Sequence, residues 1–306
     1  MSDPAVVCVG NALIDHTYSL TNLPAADDGA YVLDAEDRFG GVETNVAAIL
    51  SSLGIESGVI TRLGDDADGR AVANHLDELD LDTTLVREGR GEETSYCLVL
   101  TAEGERVIIG GGESALAIDL GLEDRAYLES ASVVFASAYA PPRVISDLAE
   151  LDVPFAFDLA GRFADLEHRG LSREQLDATL PGIDLFIANQ TTAQSYLQSD
   201  GEPAALADGL RARGVTRGVV TDGMAGALLF DDHGTYPIEA LEVEVVDTTG
   251  AGDAFTAGLI AAWFLEERSP AAAGRFAAAA AAANCTVRGA HTAPPTREAI
   301  RALLAE

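Results

Sequence analysis

The chain has 306 residues, 48% of them hydrophobic and 23% charged, enough for one large folded unit with an appendage. Its 50 acidic residues outweigh 19 basic ones, giving a formal charge of -31, and every basic residue is an arginine. Such a surface repels nucleic acid and anionic membranes, and the lack of lysine removes the Walker A loop, the protein-kinase phosphate lysine and Schiff-base chemistry.

The acidity reads as adaptation to a salty cytoplasm. The start MSDPAVVCVG has no basic segment, and no apolar run reaches membrane-spanning length, so the expected location is cytoplasmic. Cys8, Cys97 and Cys285 are far apart, in apolar runs without CxxC spacing, and read as buried small hydrophobes. The five histidines show no metal-ligand spacing, which argues against zinc.

In chain order, residues 5–15 (AVVCVGNALID) open with a compact apolar strand that ends in glycine. Residues 45–54 (NVAAILSSLG) have helical spacing and a glycine stop, SGVITRLG is the next strand, and DADGRAVANHLDELDL is a capped amphipathic helix. Two stretches interrupt this alternation: residues 16–41 and residues 93–112, the latter a hairpin of SYCLVL and RVII joined by AEGE. Both read as strands of a small separate sheet. From residue 119 onward the alternation returns through the strands ASVVFASA, PFAFDLA, IDLFIAN, RGVVTDG and GALLFDD, with helices PRVISDLAEL and TTAQSYLQ among them. The strand EVEVVD and the alanine-rich helix AAAGRFAAAAAAANC close the pattern, which is that of a doubly wound sheet binding its ligand at the carboxyl ends of its strands.

Three stretches carry chemistry. In VVDTTGAGDAFTAGL (residues 245–259), Gly250, Ala251 and Gly252 form the first turn of a helix, where free amides and the positive dipole suit an anion. Asp253 sits in that turn, able to accept a proton from an attacking hydroxyl. In FGGVETNVAAILSSLG (residues 39–54), Gly40 and Gly41 permit backbone contact with a polyol, and Asn45 at the helix start offers both donor and acceptor. Asp15, at the end of the first strand, is a carboxylate able to accept two hydroxyl hydrogens. Each piece alone is equally an ordinary turn or cap. GGGESA (residues 110–115) fits a dinucleotide pattern but follows a hairpin, so it reads as a connection from the small sheet to the core; GDDADG lacks calcium-loop spacing and reads as a solvated turn.

Together these motifs, in this order with GNALID, TDGMAGALL and VRGAHTAPP, resemble the ribokinase (PfkB) family of carbohydrate and nucleoside kinases, over nearly the whole chain. The resemblance implies a ribokinase-like three-layer α/β/α doubly wound sheet with a small inserted β-sheet lid, the core being residues 1–14, 42–92 and 113–306 and the lid residues 15–41 and 93–112. It implies ATP-dependent transfer of the γ-phosphate to a hydroxyl of a small sugar, sugar phosphate or nucleoside, with Asp253 as base and Gly250, Ala251 and Gly252 completing the anion hole. Asn11, Asp15, Gly40, Gly41 and Asn45 would hold the acceptor. Asn189, Thr221, Gly223, Gly226, Asn284 and His291 would line the nucleotide, with the last two beside the adenine. The cofactors it implies are ATP, Mg2+ and K+, the last as a monovalent cation at Asp247 and Thr249. A homodimer through the lid is also implied.

Two departures matter. The family's Asn-x-x-Glu, whose glutamate helps organise magnesium, is here NQTTAQ, with Asn189 kept and Thr192 in the glutamate's place. GNALID is similar to the opening of adenosine kinases, while LP in the first insert and AEGER in the hairpin look like ribokinases; Leu13 is apolar where ribokinases tend to carry asparagine. A nucleoside kinase, a ribose-1-phosphate kinase and a non-catalytic sugar- or nucleotide-binding relative stay open as alternatives. A cleft-facing arginine, such as Arg143 or Arg162, would be the lysine-free way to bind a phosphorylated or carboxylated acceptor.

Overall fold

The computed structural model describes residues 4–305; residues 1–3 and 306, which the core range above includes, lie outside the described residues. Its strands are β1 (Val6–Val9), β2 (Leu13–Leu20), β3 (Val32–Gly40), β4 (Ser57–Gly64), β5 (Asp82–Gly89), β6 (Tyr96–Ala102), β7 (Glu105–Gly111), β8 (Val133–Ser137), β9 (Phe155–Asp158), β10 (Leu185–Asn189), β11 (Gly218–Thr221), β12 (Ala227–Phe230) and β13 (Thr235–Ile238). Nine of them form one sheet in the order β13-β12-β11-β10-β9-β8-β1-β4-β5. Strands β5 through β11 along that order are parallel, while β12 and β13 are antiparallel additions at one edge. Pro237, which has no N–H to give, sits in the outermost strand β13.

A parallel sheet covered on both faces needs strands that are apolar on both sides, and β1 shows it. Val6 and Cys8 join the core beneath the helices Val42–Ser52, Ala251–Leu259 and Pro270–Cys285, whereas Val7 and Val9 join the core beneath Pro142–Ala149 and Pro203–Ala212. The alanine run permits close helix contact: a Cβ on Gly258 would lie 2.7 Å from Ala277 Cα, so the helix Pro270–Cys285 packs against Ala251–Leu259 with almost no side chain between. The other four strands form the separate small sheet, in the order β3-β2-β6-β7, drawn from the two segments that interrupt the alternation, except that β2 already begins at Leu13, so Asp15 lies within the small sheet rather than at the end of the first strand. The small sheet meets the core around the helix Ala67–Glu78, where Ile14, Val72 and Leu76 are buried together with Phe39 and Tyr96 against them.

Two expectations change. EVEVVD is not a strand: residues 242–247 are irregular, and Val245 and Val246 are 48% and 57% exposed. β13 closes the sheet edge before this segment, and the amides of Val246 and Asp247 bond instead to the carbonyl of Cys285. Alternating polarity without a strand neighbour does not make a strand. Second, the helix carrying Asn45 begins at Val42, with Gly41 as its cap, so Asn45 lies one turn inside the helix and is buried.

The chain builds β1, β4 and β5 outward in one direction and β8 through β11 in the other, so the sheet's switch point lies between β1 and β8. Open α/β sheets bind ligands at the carboxyl ends of strands beside such a point.

Candidate active site

At the switch point stands a carboxylate that the motif pattern does not single out. Glu43, 1% exposed, accepts the Asn11 amide at 2.9 Å beyond β1 and the Ser137 amide at 2.7 Å at the end of β8. Gly10 must be glycine, since a Cβ there would lie 2.4 Å from the Glu43 side chain. Burial pushes the Glu43 carboxyl above its usual range, against the pull of those two amides.

The glycine turn comes in from the opposite side. Gly250 holds φ +77°, and a Cβ on it would lie 2.6 Å from the Ala290 backbone, so the turn depends on glycine here. The helix Ala251–Leu259 begins with no side-chain cap; the Ala251 amide turns to Thr248, while no acceptor among the described residues takes the amides of Gly252 and Asp253. These are the free donors an anion needs.

Asp253 accepts a 2.6 Å hydrogen bond from Asn45 Nδ2. It is partly exposed, yet its buried surroundings push its pKa up to about 7, with Asp158 and Glu43 adding like charge and the Asn45 bond opposing. Asp158, at the end of β9, is pushed up to about 7 in the same way, by burial and then by Glu43, although it accepts the Ala160 amide at 2.8 Å. Glu43, Asp158 and Asp253 thus form a mutually repelling group of carboxylates with no arginine bonded to any of them among the described residues.

The segment that leads into this turn and opens it borders two cavities, with Thr248, Ala251 and Gly252 on one and Asp247 and Thr249 on the other. An apolar slot of about 230 Å³ is lined by Gly252, Phe255, Leu241, Val243, Ala282 and Cys285, with Thr221, Gly223 and Gly226 of the expected nucleotide set. A polar cleft of about 420 Å³ is lined by Asp15, Arg38, Cys97, Arg106, Asp247, Thr249 and Arg288. Asp15 stands over Gly40, where a Cβ would come within 2.9 Å of its Oδ2, and burial raises its carboxyl pKa against the pull of Cys97, Arg38 and Arg106. A Cβ on Gly41 would lie 2.3 Å from Asn11 O, so the two glycines and Asn11 form one tight crossing. Asn11 Oδ1 is buried without a hydrogen-bond partner, an acceptor suited to a hydroxyl.

The remaining expected residues scatter. Asn189 caps the helix Gln190–Leu197 and lines a further cavity with Thr192, Arg162, Thr221 and Gly223. Thr192 is buried, with its amide bonded to Asn189 Oδ1 and its hydroxyl to Asn189 O, so it serves the cap. Asn284 and His291 do not line the apolar slot: Asn284 donates to Thr249 O at 2.9 Å, and His291 meets Asn45 at 2.6 Å. Arg143 binds the Ile118 carbonyl and faces Asp119, away from the cleft.

Asp247 is already filled. Its Oδ1 accepts the Thr249 amide and hydroxyl, and its Oδ2 accepts the Gly289 amide and Arg38. Burial works to raise its carboxyl, but these donors outweigh it and hold the group below its usual range. The carboxylate of the expected monovalent-cation pair, Asp247 with Thr249, is thus occupied by a guanidinium and by N–H and O–H donors in this arrangement. No group of three or more His, Cys, Asp or Glu among the described residues forms a cage for a divalent ion.

The chain matches the pattern of the pfkB family carbohydrate kinases over residues 3–297. It is 28% identical over 305 residues to an ATP-dependent ribose-1-phosphate kinase of Halopiger xanaduensis, covering 98% of each. It is 30% identical over 314 residues to a ribokinase of Arabidopsis thaliana, covering 98% of this chain and 81% of that protein. The solved structure of Arabidopsis thaliana ribokinase complexed with ribose and ATP superposes with a TM-score of 0.87 at 26% identity, over 100% of both chains. With the sheet order, the glycine turn and these matches, the chain belongs to the pfkB family of carbohydrate kinases, ATP-dependent phosphotransferases with an alcohol group as acceptor.

Proposed function

We propose that the protein moves the γ-phosphate of ATP across the turn Gly250–Asp253, from a nucleotide in the apolar slot to a hydroxyl in the polar cleft. The observation that carries this is that one short segment, residues 247–252, leading into and opening that turn, borders both cavities: Ala251 and Gly252 line the slot, Asp247 and Thr249 the cleft. Adenine suits the slot's apolar walls, and the free amides of Gly252 and Asp253 meet the transferring phosphate in place of a lysine. Asp15, Gly40, Gly41, Asn11 and Asn45 hold the acceptor's hydroxyls. Asp253 takes the proton of the attacking hydroxyl, and a carboxyl with pKa about 7 is well matched to that work near neutral pH. Mg2+ would be carried on the nucleotide phosphates and would supply charge neutralisation there, and among the described residues no group of three or more His, Cys, Asp or Glu forms a cage for it. ADP release that depends on an added acceptor tests this reading.

A second observation favours an anionic acceptor among the sugars. Arg106, on β7, and Arg288, on the loop after the helix Pro270–Cys285, both line the polar cleft, and among the described residues neither has a carboxylate partner within salt-bridge distance. A sugar phosphate supplies the charge they lack. The match with a ribose-1-phosphate kinase agrees with that reading. The small sheet exposes Leu33 at 66% and Ile108 at 54% on its two edge strands, a surface suited to a second copy of the chain. The acidic, lysine-free surface suits a cytoplasm rich in salt. No helix among the described residues is long and apolar enough to cross a membrane.

A further inference from the structure

From Asp253 a line of polar side chains runs through Asn45 and His291 to His75. Asn45 Nδ2 donates to Asp253 Oδ2 at 2.6 Å, and Asn45 Oδ1 meets His291 Nδ1 at 2.6 Å. His291 Nε2 in turn meets His75 Nε2 at 2.7 Å, and the His75 ring stacks on Phe39 with centroids 4.2 Å apart and planes at 11°. The members come from four places: the helix Val42–Ser52, the loop after Pro270–Cys285, the helix Ala67–Glu78 and β3 of the small sheet.

The protons in this line can be assigned by elimination. An amide oxygen only accepts, so His291 carries its hydrogen on Nδ1. Burial, and then His75, hold the His291 imidazole down to about 4, and burial lowers His75 against the pull of Glu78, so both rings are neutral at pH 7. A neutral His291 protonated on Nδ1 has a bare Nε2, and His75 must then be protonated on Nε2 to make the 2.7 Å contact. Each hydrogen points along the line toward Asp253.

We propose that His75 and His291 are positioning residues that lock the Asn45 amide in the single orientation presenting N–H, rather than oxygen, to the Asp253 carboxylate. This rests on reading Asp253 as the base. With the amide reversed, Asn45 Oδ1 would face the carboxylate, and the bond that favours its ionised form would become a repulsion. The groups facing the line are Asp158 and Glu43 around Asp253, Glu78 beside His75, and Phe39 from the wall that carries Arg38 and Gly40. Neither histidine touches the acceptor cleft, so both act through Asn45.

Two experiments test it. Long-range 15N–1H spectra of the histidine rings at pH 7 should show His291 protonated on Nδ1 and His75 on Nε2; the opposite tautomer at either ring, or an imidazolium at either, overturns the proposal. In kinetics, His291→Ala should move the acid limb of the kcat profile up by about one pH unit and lower turnover at pH 7 about fivefold, with KM for ATP unchanged. His291→Asn, which keeps an N–H near the place of Nδ1, should restore most of the loss. An unmoved limb in His291→Ala, or no rescue by asparagine, overturns the proposal. If His291→Ala does not fold, His75→Leu keeps contact with Phe39 but releases the His291 tautomer, and it must move the limb in the same direction. An Asp253→Asn variant with normal turnover would sink the base, not the tautomers, so the two failures are separable.

Discussion

The pKa of Asp253 makes the acid limb of catalysis the sharpest prediction. Only the carboxylate can take the hydroxyl proton, and burial with two like-charged neighbours pushes its pKa up to about 7. Activity should therefore fall about tenfold per pH unit below 7, or about 100-fold at pH 5, whereas an ordinary aspartate near 3.9 would lose less than about 10% there. The perturbation that isolates the protein's share is Asp158→Asn, because Asp158 is the larger of the two charged neighbours that raise Asp253, and asparagine keeps an oxygen for the Ala160 amide. Removing that charge should lower the limb by roughly one pH unit. Burial, the dominant cause, remains, so the limb should still stand well above 3.9. The assay is kcat/KM for the acceptor from pH 5 to 8.5 by ADP release, with folding checked at each pH. The nucleotide's own phosphate titrates near pH 6, but identically in both proteins, so the difference between them reports the carboxylates. Level activity down to pH 5, or limbs that coincide in the two proteins, would refute the reasoning.

Other outcomes follow from the same geometry. Gly250→Ala forces a Cβ against the Ala290 backbone at φ +77°, and should cost about 1–3 kcal/mol in denaturant unfolding as well as turnover; an unchanged midpoint would contradict this. Replacing Arg106 and Arg288 with glutamine should raise KM for a phosphorylated acceptor at least about tenfold and leave KM for ATP unchanged, and an effect confined to ATP would move these residues to the nucleotide side. In molar salt, light scattering should give twice the 31.8 kDa chain mass, and Ile108→Asp on the exposed edge strand should shift it toward monomer; wild type at 31.8 kDa would exclude the dimer.

What could be read from the sequence was local. The glycine turn and Asp253 stand within four residues of one another, and Gly40, Gly41 and Asn45 within six, so spacing alone exposes them. The two inserted segments were legible because alternation breaks there, and they do form the separate small sheet. What spacing cannot show is assembly at the switch point. Glu43, Asp158 and Asp253 come from three elements, and Glu43 in an apolar helix, like Asp158 at the end of FAFD, looks like an incidental charge until β1, β8 and β9 lie side by side. His75 and His291 are 216 residues apart, which is why no histidine pattern emerged and why His291 was expected near adenine rather than at Asn45. Arg38, Arg106 and Arg288 are likewise joined only when the small sheet faces the core. EVEVVD fails for the converse reason: its alternation is real, but no strand edge receives it.

The central claim is that one turn passes phosphate from the slot to the cleft. Its most direct test is ADP release by the purified protein in molar salt with Mg2+ and ATP, across sugars, sugar phosphates and nucleosides, in parallel with Asp253→Asn. The account predicts ADP release only when a suitable acceptor is present, strongest with a phosphorylated sugar, and loss of about a hundredfold or more in the variant. Folded protein that releases no acceptor-dependent ADP across the panel, or an Asp253→Asn variant that matches wild type, would contradict it.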